Sequence, residues 1–177
     1  MRMFAALPVP DEAAERLQSL QRGLPGRLTR PENLHLTLAF FGETSETAAD
    51  DIHSALSAIR ARGFEWWLDG VGVFGGDRPT LIHAAVRPEP ALTLLHEKVA
   101  QAGRSAGAAV EAGRYTPHVT LSRLARGAVT AHQAAKALAA RAMFLHGPIA
   151  AGRFALCRSH LGRDGPIYEE IASYPLG

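Results

Sequence analysis

The pattern His-x-Thr-Leu occurs twice in this chain, as His35-Leu36-Thr37-Leu38 and His118-Val119-Thr120-Leu121. The copies lie 83 residues apart (118 − 35), close to half of the 177-residue length. Each follows a proline-containing turn, Arg30-Pro31-Glu32-Asn33 before the first and Tyr115-Thr116-Pro117 before the second. One such tetrapeptide recurs by chance. Two copies at half-length spacing, in matching surroundings, predict a duplicated unit assembled with pseudo-twofold symmetry.

Strand geometry turns the pattern into a site. Side chains at i and i+2 share a face, about 6.6 Å apart along the strand. His35 and Thr37 therefore share one face, and Leu36 and Leu38 the other. His118 and Thr120 are likewise set against Val119 and Leu121. The apolar faces pack. The polar faces present two imidazole and hydroxyl pairs to each other across a cleft.

Two imidazoles flanking one tetrahedral group suit phosphoryl transfer. In-line displacement needs a base on the attacking oxygen and an acid on the leaving oxygen, on opposite sides of phosphorus. Histidine, with an ordinary pKa of about 6.5, serves either role near neutral pH. The threonine hydroxyls can donate to the non-bridging oxygens. A catalytic zinc site normally needs three protein ligands and water. The sequence has neither a His-x-x-x-His spacing nor a cysteine pair. No metal and no cofactor is expected. Gly70-x-Gly72 and Gly75-Gly76 lack the following helix that a nucleotide-cradling loop requires.

The rest of the chain reads as alternating strands and helices. Strands are predicted near 2–7, 34–41, 64–74, 80–86, 118–124, 152–161 and 167–174. Helices are predicted near 11–22 with Asp11 as N-cap, 46–62, 89–104 and 130–141. The class is α+β. Several hairpin-like pairs favour antiparallel sheets, and no linker separates independent domains. Residues 1–177 are read as one domain of two lobes.

Composition bounds the setting. Hydrophobic residues make up 47%, enough for a core, and net charge is only +2. Only Lys98 and Lys136 are lysines, so arginine carries nearly all the positive charge and offers a planar fork suited to phosphate. No run approaches about 18 apolar residues, so a membrane span is not expected. The short apolar start is soon followed by Asp11 and Glu12, which reads as a first strand rather than a leader. The single cysteine, Cys157, fits a reducing compartment and reads as a buried, inert thiol. A cytoplasmic monomer is the expectation.

Further stretches join the two motifs: the opening Arg2-Met3-Phe4-Ala5-Ala6-Leu7, Phe41-Gly42-Glu43, Ser122-Arg123 and the closing Tyr174-Pro175-Leu176. With these the chain resembles, over nearly its whole length, the 2H phosphoesterase superfamily. The likeness is in particular to the bacterial RNA 2′,3′-cyclic phosphodiesterases once described as 2′-5′ RNA ligases. That resemblance implies a bilobal, pseudo-twofold fold with two antiparallel sheets lining a central cleft and helices outside. It implies metal-independent hydrolysis of a terminal RNA 2′,3′-cyclic phosphate to a 2′-phosphomonoester. By position, His35 resembles the general acid and His118 the general base. Thr37 and Thr120 would hold phosphate oxygens, with Arg123 as a charged contact. The partner implied is an RNA or oligonucleotide end bearing the cyclic phosphate.

The first motif departs from the family pattern at Ala39-Phe40, where a lysine or arginine followed by an aliphatic residue is common. Phe41 and Tyr115 flank the motifs and are candidates to stack on a base. His53, His96 and His132 read as solvated helix residues, and His83 as a structural strand residue, with reach to the cleft as the alternative. Of the adjacent Trp66 and Trp67, one is expected in the core. Two alternatives share the same residues: 2′-5′ ligase or 2′-5′ phosphodiesterase activity, and a non-catalytic RNA-end binding protein.

Overall fold

Antiparallel strands carry most of the architecture in the computed structural model, which describes all 177 residues. The order is β1 (Arg2–Pro8), α1 (Asp11–Gln21), β2 (Arg27–Leu28), a 3-10 turn (Pro31–Asn33), β3 (His35–Glu43) and α2 (Glu46–Ser57). Then come β4 (Phe64–Phe74), β5 (Leu81–Val86), α3 (Pro90–Ser105), β6 (His118–Arg123) and α4 (Ala131–Ala139). β7 (Leu145–Ala151), β8 (Arg153–Gly162) and β9 (Gly165–Pro175) complete it. The α+β class is as expected.

The sheet departs from expectation in two ways. Two separate sheets were predicted, but all nine strands are hydrogen-bonded into one, in the order β7-β4-β5-β6-β3-β1-β8-β9 with β2 beside β6. β3 and β6 meet at a single pair, Leu36 with Val119. The halves on either side of this seam are also not the two halves of the sequence. One half takes β1 and β3 from the beginning and β8 and β9 from the end of the chain.

The core is built as the periodicities predict. Leu17 and Leu20 of α1 and Ile52 and Leu56 of α2 are buried, and they join Leu36, Leu38, Val119 and Leu121 in one apolar cluster. Trp66 is in that core, while Trp67 is half-buried beneath the Arg87 guanidinium, 5.0 Å from its ring centre. Ser45 caps α2 by accepting from the Ala48 amide. Asp11, expected as the cap of α1, is instead its first helical residue, and Pro10 stands at the cap position without a side-chain acceptor. Its carboxylate still lies in the first turn, where the helix dipole favours a negative charge. α2 stops at Ser57, five residues short of the predicted end.

β7 was not anticipated, because Gly147-Pro148 punctuates it. A proline is tolerated in a strand at a sheet edge, where one row of backbone groups needs no partner. β7 is at the edge and pairs only with β4.

A bulge in β3 decides which aromatic faces the cleft. Ala5 pairs with Ala39 but Ala6 pairs with Thr37, so Leu38 is an extra residue in the ladder. The alternation of side chains flips across it. Strict alternation would have placed Phe41 beside Thr37. Instead Phe40 is 57% exposed and Phe41 is 1% exposed. Phe41 packs against Gly103 of α3 so closely that a Cβ there would lie 2.5 Å from its ring.

Candidate active site

The Leu36–Val119 pair joins equivalent positions of the two motifs. In an antiparallel register, that places a local dyad between them, with His35 across from Thr120 and Thr37 across from His118. The two motifs are thus neighbours at the centre of the sheet. His35, Thr37, His118, Thr120 and Arg123 all line one cleft of about 230 Å³.

Both imidazoles are held alike. His35 Nδ1 lies 2.6 Å from the carbonyl oxygen of Asn33, and His118 Nδ1 lies 2.8 Å from that of Thr116. Each partner is the carbonyl two residues earlier. A carbonyl can only accept, so each Nδ1 carries a proton and each neutral ring keeps its lone pair on Nε2. The His35 Nε2 accepts from the Thr37 hydroxyl at 3.0 Å.

The surroundings of the two rings differ. His35 stacks on Phe4 at 4.8 Å and meets the edge of Tyr168 at 5.1 Å. His118 meets Phe74 edge-on at 4.9 Å and His83 at 5.2 Å. Burial, the largest cause, holds His35 down to about 4, with the neighbouring His118 and Arg123 acting in the same direction. Burial and Arg123 also lower His118. Both rings are therefore neutral in the free protein near pH 7.

Asn33 was not singled out from sequence. Its carbonyl orients His35, and its side-chain amide donates to the Pro166 carbonyl at 2.8 Å. It thereby ties the β8–β9 hairpin to the site. Tyr168 and Asp164 of that hairpin line the cleft, and Asp164 pairs with Arg30 at 3.5 Å. Arg27 and Arg123 face each other across β2 and β6, and neither takes part in an ion pair. Position in the repeat marks Phe40 as well, since it stands five residues after His35, as Arg123 stands five after His118.

The aromatic expectations need correction. Phe41 is in the core and cannot meet a ligand. Tyr115 stacks face to face on His96, 3.7 Å between centroids, and donates its hydroxyl to the Thr37 carbonyl at 2.8 Å. One ring face is covered, and the hydroxyl braces the first motif from the loop before the second. His96, expected on a solvated face, is half-buried and hydrogen-bonds the Leu38 carbonyl at 2.7 Å. His83 is buried with Nδ1 unpartnered, and burial and His118 hold it down to about 4. Cys157 is half-buried, its thiol pushed up to about 11 by burial and by Glu170. No three His, Cys, Asp or Glu side chains form a set that could hold a metal ion. No helix is long and apolar enough to cross a membrane.

By fold and by sequence this is a 2H phosphoesterase. The chain belongs to the 2′-5′ RNA ligase superfamily, whose model matches residues 9–163. It is 33% identical to the RNA 2′,3′-cyclic phosphodiesterase of Aeropyrum pernix, over 84% of this chain and 85% of that one. It is 29% identical to the Bacillus subtilis enzyme of the same name, over 98% and 95%. The crystal structure of Escherichia coli LigT complexed with 3′-AMP superposes with a TM-score of 0.81 at 27% identity, covering 99% of this chain and 97% of that one.

Proposed function

We propose that the protein hydrolyses a terminal RNA 2′,3′-cyclic phosphate to a 2′-phosphomonoester, by acid and base catalysis from two histidines and without a metal. The observation that carries this reading is the pair of imidazoles in one cleft, each with Nδ1–H fixed to a carbonyl so that Nε2 is the proton-transferring atom. The names of the relatives supply the substrate class.

Water attacks phosphorus while His118 Nε2 takes its proton. The new P–O bond forms as the P–O3′ bond breaks, and the departing O3′ takes a proton from His35 Nε2. His35 must therefore be charged when substrate is bound. The anionic phosphate supplies that by favouring the imidazolium. Thr37 and Thr120 donate to the non-bridging oxygens, and Arg123 holds their charge. All these groups come from one chain, so a monomer suffices. The cytoplasm is the setting we assign, in keeping with the single unpaired cysteine.

The test is turnover of a nucleoside 2′,3′-cyclic phosphate in EDTA by wild type, His35→Ala and His118→Ala. Each variant is expected to lose about 10²–10⁴-fold in kcat while remaining folded. Full activity in both variants would refute the mechanism. Phosphorus NMR of the product separates this reaction from the making or breaking of 2′-5′ linkages. Binding of RNA ends without any product would point to the non-catalytic alternative.

A further inference from the structure

β2 is only two residues long, yet it is fastened to β6 from several sides. The buried Gln21 side chain donates to the carbonyls of Thr29 and Leu121, at 2.8 and 3.0 Å. The Thr29 amide donates to the same Leu121 carbonyl at 2.9 Å, and the Ser122 hydroxyl donates to that of Pro25. Gly26 turns in the left-handed region at φ +88°, and a Cβ there would lie 2.5 Å from the Arg123 carbonyl oxygen. Together these contacts fix Arg27 directly opposite Arg123.

Like charges directly opposite each other in a sheet are destabilising, and neither guanidinium has a carboxylate to relieve it. The Arg27 guanidinium packs over the tip of the β8–β9 hairpin, where a Cβ on Gly165 would stand 3.7 Å from it. Three arginines, Arg27, Arg30 and Arg123, and one carboxylate, Asp164, line the cleft. With the histidines neutral, that leaves the cleft two positive charges. Asp164 offsets Arg30. A cyclic phosphate carries one negative charge, which claims Arg123. Arg27 is left over, a cation held in place at the cleft with no anion to meet it.

Resting on the function proposed above, we propose that Arg27 binds the phosphodiester on the 5′ side of the terminal nucleotide, so that the preferred substrate is an RNA end of two or more nucleotides rather than a nucleoside cyclic phosphate. Arg123 takes the reacting phosphate and Arg27 the next one along the strand. Consecutive phosphates repel each other as the facing guanidiniums do, and interleaving the four charges relieves both pairs. A planar guanidinium matches the two non-bridging oxygens of a diester. The contact is to the backbone, so it measures length and carries no base preference.

The test is calorimetric binding of adenylyl-(3′→5′)-adenosine 3′-phosphate, with its internal linkage either the natural diester or an uncharged methylphosphonate. Wild type is expected to bind the methylphosphonate roughly 10- to 100-fold more weakly. Arg27→Ala should weaken the natural diester by a similar factor, and in that variant the methylphosphonate should make no further difference. The slope of log affinity against log salt for the natural diester should fall by about 0.7 in Arg27→Ala. Equal binding of both ligands by wild type, which needs no variant, would overturn the subsite. So would the same methylphosphonate penalty in wild type and Arg27→Ala. Either result with normal cyclic-phosphate hydrolysis leaves the proposed function standing. Conversely, Arg27-dependent diester binding by a protein that hydrolyses no cyclic phosphate would support the subsite and refute the function.

Discussion

Leu36 and Val119 form the single backbone pair that joins the two halves of the sheet, and they occupy the same position in the two motifs. Packing around this pair sets how far His35 stands from His118. Both side chains are fully buried. Leu36→Ala is expected to lower stability by about 2–5 kcal/mol. It should also lower kcat under conditions where the variant is fully folded. Urea unfolding beside steady-state kinetics checks both. A variant that loses stability but keeps full kcat would show that the seam does not control the site.

Asn33 links His35 to the β8–β9 hairpin. Asn33→Ala removes the donor to the part-buried Pro166 carbonyl, a bond worth about 0.5–1.5 kcal/mol. The backbone carbonyl that accepts from His35 remains but loses its tether to the hairpin, so kcat should fall about 10-fold while KM changes less. Asn33→Asp should not rescue, since a carboxylate cannot donate to a carbonyl. Thermal unfolding and initial rates measure the two effects.

Tyr115 braces Thr37 through its hydroxyl and has one ring face covered by His96. Tyr115→Phe keeps the stack on His96 and loses only the hydroxyl bond. The expected cost is about 0.5–1.5 kcal/mol of stability with no change in KM for a mononucleotide. A large rise in KM for Tyr115→Phe would restore a ligand role to this residue.

Titration of the buried histidines sets the pH dependence. His35 and His83 are held near 4 in the folded protein, against about 6.5 when unfolded. Between these values the unfolded chain binds more protons than the folded one, so stability rises with pH across that window and is lost as pH falls through it. The midpoint of urea unfolding should drop from pH 6.5 to 4 and change less above 7. His83→Phe should flatten part of that slope.

The same shifts place the kinetic optimum. In the free enzyme both His35 and His118 lie below the ordinary histidine value. The optimum of kcat/KM should therefore fall below pH 6.5. The optimum of kcat should lie higher, because the bound phosphate anion raises both rings. Coincident optima would argue against neutral resting histidines.

Much of the site was legible because strand periodicity is short-ranged. A two-residue repeat places His35 with Thr37 and His118 with Thr120 without knowledge of the rest. The cleft-facing aromatic, Phe40 rather than Phe41, was missed for the same reason. One extra residue at Leu38 inverts the alternation, and nothing local in Leu38-Ala39-Phe40-Phe41 announces it. His96 was misread, and the bracing bond of Tyr115 was not foreseen, because both depend on α3 meeting the loop before β6. β7 was hidden by a glycine and proline that ordinarily end strands. The pairing of β8 with β1 depends on long-range burial, which a linear pattern does not carry.

That return of β8 and β9 to the first strands has a consequence for synthesis. His35 and His118 are both translated well before Pro166, which accepts from the Asn33 side chain, and Tyr168, whose ring walls His35. A nascent chain thus carries every motif residue while its cleft still lacks a side. Competence arrives only once the message has been read through the codons of β9.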